Sequence, residues 1–268
     1  MYNFSPTPEQ QEMIDKANAF MNEYVYPNEK HMVPHRGLPN DILKPLQQKV
    51  KELDLWGAHL PKEVGGMGTG FLSLGLLSEV IGKSPIAPYI FGSMAPDAGN
   101  GEILWHAATP EQKEKYLVPL ANGDIRSCFA MTEPDVSGSD PRMLQATAEL
   151  DGDEWVINGH KWFTTGAIGS SFSIVMAVTD PDAPTYKKTS LFIVENDNPG
   201  FEIVREVPVI GDHFAGGHCE VHYTNCRIPK NAILGERGEG FKLAQLRLGP
   251  GRITHAMRWL GVCRRSLE

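Results

Sequence analysis

A run of small and hydroxyl-bearing residues follows the first candidate β-strand of the sequence. The run CFAMTEPDVSGSD covers Cys128–Asp140 and places Ser137 and Ser139 on either side of Gly138. Because a loop at the end of a strand exposes backbone N–H groups and hydroxyls, it suits an anionic or hydrogen-bonding cofactor. A serine-rich loop that only joins two strands has the same composition, so this run alone does not decide between the two interpretations.

A second run, INGHKWFTTGA, combines aromatic rings with hydroxyl groups at Ile157–Ala167. An aromatic side chain can cover a flat ring while a neighbouring hydroxyl bonds a heteroatom of that ring. Strand alternation predicts that Phe163 and Thr165 share one face and that Trp162 points to the other. Each feature is common in β proteins, so this run gains meaning only together with the first.

Imidazole and thiolate groups, the ligands that zinc prefers, cluster further along the chain. Alternation along a strand sends His218 and His222 to one face and Cys219 to the other, so the set cannot converge without a turn. We therefore expect structural or solvent-facing roles here and no metal site. The residues of this cluster are His213, His218, Cys219, His222 and Cys226.

Two glycine-rich stretches superficially resemble phosphate-binding loops. GGMGTG at 65–70 follows no candidate strand and lacks the Lys-Ser/Thr pair that a P-loop requires. The glycines at 235, 238 and 240 lack the same ending and indicate a turn that leads into a helix. No strand-linked G-x-G-x-x-G opens a helix, so a nicotinamide cofactor is not expected.

Five stretches in order along the chain resemble the acyl-CoA dehydrogenase family, and the resemblance extends over nearly the whole sequence. They are PKEVGGMGTG, TPEQKEKYLVPLANGDIRSCFAMTEP, ELDGDEWVINGHKWFTTGA, CRIPKNAILGERGEGF and LRLGPGRITHAM. The resemblance implies a flavoprotein that oxidises the Cα–Cβ bond of an acyl-CoA thioester, with hydride transfer to FAD. It implies lipid substrates and, in the full-length family, a homo-oligomer.

The resemblance also implies binding roles for individual residues. Phe163 stands where the family usually has tryptophan, so it keeps the aromatic cover of the flavin ring and loses the indole N–H. Ser139 and Arg252 are implied to contact the CoA moiety of the substrate. The residues implied to contact the flavin are Phe129, Met131, Thr132, Phe163 and Thr165.

The carboxylate base of the family has no assigned residue in this sequence. In some members it precedes the helix arginine, but Gly251 occupies that position and has no side chain. In others it lies in a C-terminal helical domain, of which the sequence contains only the first helix. We therefore expect the base outside these 268 residues, with Glu133 and Asp135 as alternatives within them.

The elements that must position these residues indicate an α+β fold. Helical periodicity predicts an N-terminal helical domain at 1–124, and short β-branched runs predict a middle β-barrel or sandwich domain at 125–235. The residues at 236–268 are expected to form the first helix of a truncated C-terminal helical domain, one that ends before it can bury its own apolar face.

Periodicity and turn residues also give the expected element bounds. Thr7, Pro8 and Gln10 match a capping box, so a helix is expected to begin there and to end at Pro27. Asp151–Asp153 is expected to form a hairpin turn. Further helices are expected at 40–53, 72–81, 109–120 and 240–266, and strands at 127–131, 144–150, 155–163, 173–178, 190–194, 202–207 and 218–228.

Composition excludes several classes of protein. With 41% hydrophobic and 22% charged residues the chain is neither disordered nor collagen-like. The net charge of −8 opposes binding to nucleic acid. The four cysteines lack framework spacing, and neither a signal peptide nor a membrane span is expected. These features favour the cytoplasm, or the mitochondrial matrix or peroxisome in a eukaryote.

Two other functions remain open on the sequence. An acyl-CoA oxidase uses the same scaffold and passes electrons to oxygen, whereas a dehydrogenase passes them to an electron-transfer flavoprotein. A non-catalytic or partner-dependent fragment that binds acyl-CoA or flavin is the second alternative, favoured by the glycine at 251.

Overall fold

The computed structural model describes residues 5–211 and 215–268 and has a mixed α+β fold. Helices precede a large sheet, and a long helix follows it, so the predicted fold class is confirmed. One compact unit contains the chain up to Val33 together with Gly37–Ala98 and Leu248–Glu268, and a second contains Pro34–Arg36 and Gly99–Arg247. The predicted domain boundaries stay a prediction.

The first helix, α1 (Pro8–Phe20), begins at the capping box that the sequence predicted. The Thr7 hydroxyl accepts from the backbone N–H of Gln10 at 3.3 Å, and the Gln10 side chain accepts from the backbone N–H of Thr7 at 3.0 Å. These bonds satisfy two donors that a helix start otherwise leaves without partners.

Helical conformation continues past the proline that was expected to end it. A π-helical turn at Met21–Val25 and a 3₁₀ helix at Tyr26–His31 follow α1 without a break. Pro27 lies in the first turn of the 3₁₀ segment, where a backbone N–H has no partner within the helix. The predicted end at Pro27 is therefore wrong.

The later helices agree with the expected ones except for two that periodicity did not indicate. The unpredicted helices are α4 and α5, and α5 contains two glycines and shows no clear apolar stripe. The helix expected at 109–120 is a continuous stretch formed by α6, a π-helical turn and α7. The bounds are α2 Asn40–Glu52, α3 Gly70–Gly82, α4 Ala87–Ile90, α5 Asp97–Ala107, α6 Pro110–Gln112, α7 Val118–Ala121 and α8 Gly240–Leu267.

Eight strands form one sheet in the described part of the second unit. Their order is β6-β7-β3-β2-β4-β5-β8, and β1 pairs in parallel with β4. The two-residue β8 was not predicted, because it is too short to show a pattern. The bounds are β1 Ser127–Ala130, β2 Thr147–Asp151, β3 Glu154–Thr165, β4 Phe172–Val178, β5 Thr189–Glu195, β6 Phe201–Glu206, β7 His218–Pro229 and β8 Ile233–Leu234.

The turn between β2 and β3 is the hairpin that the sequence predicted. Asp151 pairs with Glu154 across a two-residue turn, and Gly152 has a φ of +62°, which glycine adopts without strain. This turn sets the register that carries β3 toward the candidate site.

None of the helices in the two described ranges is long and apolar enough to cross a membrane.

Candidate functional site

The strand β1 contains the beginning of the first run, Cys128–Asp140, and places Phe129 at the surface of the sheet. Cys128 and Ala130 point into the core, and Phe129 lies half-buried between them on the opposite face. The chain continues through half-buried Met131 and Thr132. Three of the residues that were expected to contact a flavin therefore lie together at the end of one strand.

Backbone and side-chain hydrogen bonds join this strand end to the second run. The backbone N–H of Trp162 donates to the carbonyl oxygen of Thr132 at 3.0 Å. The Lys161 ammonium donates to the carbonyl oxygen of Met131 at 2.9 Å. The structure therefore brings together the two runs that the sequence singled out.

A buried ion pair fastens the same junction. The Lys161 ammonium, fully buried, lies 2.7 Å from Glu133 Oε1. The Glu133 carboxylate also accepts from the backbone N–H groups of Gln145 at 2.7 Å and Ala146 at 2.9 Å. Burial lowers the pKa of Lys161 to about 8, and the Glu133 carboxylate opposes that shift.

This bonding makes Glu133 an anchor rather than a candidate base. Its side chain is only 4% exposed, and both carboxylate oxygens already accept hydrogen bonds. A general base needs a lone pair within reach of the substrate proton. Asp135, the other alternative, is exposed and lies 3.9 Å from the His160 ring.

The second run contains a β-bulge at Phe163. Lys161 pairs with Val221 and Thr164 pairs with Cys219, so β3 has one residue more than β7 between these pairs. Phe163 has a φ of +47°, and it is 43% exposed. A bulky residue rarely adopts a positive φ, and strained positions of this kind are enriched at functional sites.

The bulge overturns the expected alternation of the second run. Lys161 and Thr164 both point into the core, which uninterrupted alternation forbids. The rings of Trp162 and Phe163 lie 4.8 Å apart between centroids, and Trp162 is half-buried. The prediction that Trp162 points away from the face of Phe163 is therefore wrong.

Thr165 has a cross-strand partner that alternation within β3 does not indicate. Its hydroxyl lies 2.8 Å from Nδ1 of His218, the residue opposite it on β7. Burial lowers the pKa of His218, although the nearby Glu206 carboxylate opposes the shift, and the lowered pKa favours the neutral ring. A strand register would have been needed to find this pair.

The two residues expected to contact CoA lie in different compact units. Ser139 is exposed in the loop after Thr132, and its hydroxyl is 3.2 Å from that of Ser137. A Cβ at Gly138 would lie 3.0 Å from Thr132 Cγ2, so this loop folds closely against Thr132. Arg252 is exposed on α8, in the other unit.

A charged pair beside Phe129 was not found from the sequence. The guanidinium carbon of Arg247 lies 4.3 Å from the Phe129 ring centroid, a cation–π geometry. The buried Nε of Arg247 has no hydrogen-bond partner among the described residues. Glu102 on α5 is half-buried, and burial raises its pKa to about 7 although Arg247 opposes the shift.

We expect Glu102→Gln to raise the free energy of unfolding at about pH 8 by roughly 1–3 kcal/mol. The pKa of Glu102 in the folded protein, about 7, exceeds its ordinary value of 4.5. The native protein therefore loses stability as the pH rises through the window between these two values. Glutamine removes that loss, and the two proteins should be equally stable below the window. Urea unfolding at both pH values measures the difference, with the exposed Glu114→Gln as control. If the free energy of unfolding had the same pH dependence in the parent chain and in Glu102→Gln, the raised pKa assigned to Glu102 would be contradicted.

Residues 218–223 follow the alternation expected for β7, but the pattern shifts before Cys226, which is buried although it lies seven residues after the buried Cys219. Cys219 and Cys226 are buried and His222 is half-buried, and none of the four cysteines forms a disulfide. His213 lies outside the described residues. The cysteines therefore do not converge with the histidines of their own strand.

Two family models match the chain and cover most of it. The N-terminal domain of acyl-CoA dehydrogenase matches residues 7–124, and the middle domain of acyl-CoA dehydrogenase matches residues 128–226. The second match contains both runs that form the candidate site.

Individual proteins agree with the family models. The probable acyl-CoA dehydrogenase FadE2 of Mycobacterium tuberculosis is 43% identical over 94% of this chain and 64% of its own length. The solved structure of a putative acyl-CoA dehydrogenase from Mycobacterium abscessus superimposes with a TM-score of 0.93 at 38% identity, over 98% of this chain and 69% of that one. A glutaryl-CoA dehydrogenase from Mycobacterium smegmatis, solved with FADH2, superimposes with a TM-score of 0.79 at 25% identity, over 98% of this chain and 64% of that one.

The chain spans 26% to 64% of the length of three relatives that match it at 40% to 43% identity. The matches nevertheless cover nearly all of the present sequence, and they agree with its fold and with both candidate runs. The chain belongs to the acyl-CoA dehydrogenase family.

Proposed function

We propose that this chain forms the flavin-binding part of an FAD-dependent acyl-CoA dehydrogenase, which oxidises the Cα–Cβ bond of an acyl-CoA thioester. The observation that carries the proposal is the exposed ring of Phe163, held at a strained bulge next to Thr132 and Thr165. An exposed aromatic ring flanked by hydroxyl groups suits a flat, polar-edged ligand.

The residues present fit FAD. Phe163 offers a ring face, Thr132 and Thr165 offer hydroxyls, and Phe129 and Met131 offer an apolar strand end. The related glutaryl-CoA dehydrogenase that was solved with FADH2 supports the same cofactor. When bound, FAD accepts a hydride from the substrate.

His218 positions the hydroxyl of Thr165 in this proposal. If the neutral ring carries its proton on Nδ1, it donates to the Thr165 oxygen. The Thr165 hydroxyl, which makes only a long hydrogen bond of 3.4 Å to the Phe163 carbonyl oxygen, would then donate to the flavin. Thr132 and the adjoining main chain bond the polar edge of the ring. The Trp162 and Phe163 rings exclude water from one face.

Substrate binding and proton removal involve other residues. Ser139 and Arg252 are proposed to contact CoA, where the guanidinium would pair with phosphate. We propose that the base is contributed by sequence outside these residues, because Gly251 has no side chain and Glu133 is fastened in the core. An electron-transfer flavoprotein is the proposed electron acceptor.

The proposal is tested on the protein as purified and after loading with FAD. We expect FAD in the extract of denatured protein, and FMN in that extract would contradict the cofactor assignment. Anaerobic mixing with a panel of acyl-CoAs, with a C-terminal helical domain of a family member added, should bleach the flavin absorbance. Absence of bleaching would favour a non-catalytic binding chain, and rapid reoxidation by air would favour an oxidase.

We expect Thr165→Val to weaken FAD binding about fivefold, equivalent to one hydrogen bond of about 1 kcal/mol. Thr164→Val is the matched control, because the Thr164 hydroxyl is buried and makes no hydrogen bond with the described residues. Fluorescence titration of the apoprotein with FAD measures both. Equal weakening of FAD binding by the two substitutions would show that Thr165 does not lie on the face of β3 that bonds the flavin.

A further inference from the structure

Two histidines and a glutamate come together on the outer face of β3 and β7. His160 on β3 pairs directly with His222 on β7, and Glu220 lies two residues before His222 on the same face. The ligand atoms of these three side chains all lie within 4.8 Å of one another. The two imidazole rings meet edge to face, with centroids 4.4 Å apart.

This set has the composition of a transition-metal site. Two imidazole nitrogens and one carboxylate oxygen are ligands for Zn²⁺, with metal–nitrogen distances of about 2.0–2.1 Å. Such distances separate the donors of a tetrahedral site by roughly 3.3 Å. His160 Nε2 already lies 2.8 Å from Glu220 Oε1, so small side-chain rotations on fixed strands bring the three donors to one ion.

Neighbouring charges orient two of the three ligands. Arg205 Nε donates to Glu220 Oε2 at 2.6 Å, which holds the carboxylate and leaves Oε1 directed at the histidine. Asp135 Oδ2 lies 3.9 Å from His160 Nδ1. A carboxylate behind the second ring nitrogen is the usual partner of a metal-bound histidine, because it keeps the proton on that nitrogen.

We propose that His160, Glu220 and His222 bind one divalent transition-metal ion of the Zn²⁺ type, which joins β3 to β7 just before the bulge at Phe163. The ion takes the place of the proton between His160 and Glu220, and the ring proton lies on Nδ1, toward Asp135. Alternation along β7 alone gave no indication of this site. The third ligand comes from the neighbouring strand. This site is independent of the proposed dehydrogenase function.

The test is metal binding by the 268-residue chain after removal of bound metal with a chelator. Co²⁺ and Zn²⁺ are added separately, with visible absorption for Co²⁺ and calorimetry for Zn²⁺. We expect one equivalent to bind, with the spectrum of nitrogen and oxygen ligation and no thiolate-to-cobalt absorption. We also expect Zn²⁺ to raise the Tm of the chain.

Single substitutions identify the ligands. His160→Gln, Glu220→Gln and His222→Gln should each reduce Zn²⁺ affinity by more than the roughly 10- to 100-fold that loss of an outer partner causes. Each should also abolish the Zn²⁺-dependent rise in Tm. Glu220→Gln keeps the size and the hydrogen-bonding oxygen of the side chain, so its folding serves as a check on the histidine variants. The exposed His31→Gln is the matched control and should bind as the parent chain does.

Three results would overturn the proposal. Binding of no equivalent of either ion by the parent chain would show that the cluster is only a hydrogen-bonded ion network. Zn²⁺ affinity equal to that of the parent chain in all three variants would show that these side chains are not the ligands. A thiolate-to-cobalt absorption would assign the binding to a cysteine such as the exposed Cys263.

Discussion

Lys161→Met is expected to lower the free energy of unfolding by about 3–5 kcal/mol, because it leaves the Glu133 carboxylate buried without its cation. The pair lies in the core, with no exposure of the lysine side chain. The lysine also bonds the carbonyl oxygen of Met131, so flavin affinity should fall as well. Urea unfolding measures the stability, and FAD titration of the remaining folded protein measures the binding.

A double-mutant cycle separates the ion pair from the packing of the lysine stem. Adding Glu133→Gln to Lys161→Met should restore part of the lost stability, because the amide costs less to bury than an unpaired carboxylate. Arg227→Met is the surface control, since it breaks exposed ion pairs with Asp151 and Glu154. A loss no greater than that of Arg227→Met would show that the buried pair does not anchor the site.

Helix starts and the tight turn were predictable because they depend on residues that are neighbours in the sequence. Thr7 and Thr109 each form a complete capping box with the glutamine three residues later. Gly152 adopts the positive φ that its hairpin requires. These features need no knowledge of the tertiary structure.

The bulge in β3 was not predictable, because it is a property of two paired strands. Alternation within β3 placed Trp162 on the wrong face, and only the pairing of Lys161 with Val221 and of Thr164 with Cys219 shows the extra residue. The contact between Thr165 and His218 was missed for the same reason. The site residues were therefore identified by type, while their arrangement required the sheet register.

The sequence contains an indication of the buried ion pair between Lys161 and Glu133. Lys161 lies on the inward side of β3, as do Trp155 and Ile157. A lysine at an inward position requires a buried partner, because an unpaired charge in a core is costly. The partner, Glu133, lies 28 residues earlier, so local patterns do not identify it.

The contact between α3 and α8 depends on glycines whose role appears only in the folded chain. A Cβ at Gly261 would overlap the carbonyl oxygen of Glu79, and one at Gly82 would overlap that of Arg258. The backbones of the two helices therefore approach too closely for any side chain at these positions. Periodicity predicted both helices and gave no indication of this contact.

Gly261→Val is expected to lower the free energy of unfolding by about 3 kcal/mol, since a backbone oxygen cannot move aside as a flexible side chain can. Gly249→Ala on the same helix is the matched control. Apart from its own stretch of helix, no heavy atom of the described residues lies within 4 Å of the added Cβ, so this substitution should raise the stability by about 0.5–1 kcal/mol. Urea unfolding measures both, and limited proteolysis reports whether α8 detaches.

A third variant decides what holds α8 in place. Arg264 pairs with Glu79 at 2.6 Å at the same contact, but the arginine side chain is largely exposed, and exposed ion pairs contribute little. Arg264→Met should therefore change the stability far less than Gly261→Val. If the two variants were equally destabilised, the charges rather than the close backbone approach would hold α8 against α3. Because α8 also carries Gly251 and Arg252, the outcome identifies which interaction fixes the helix on which the proposed CoA contact depends.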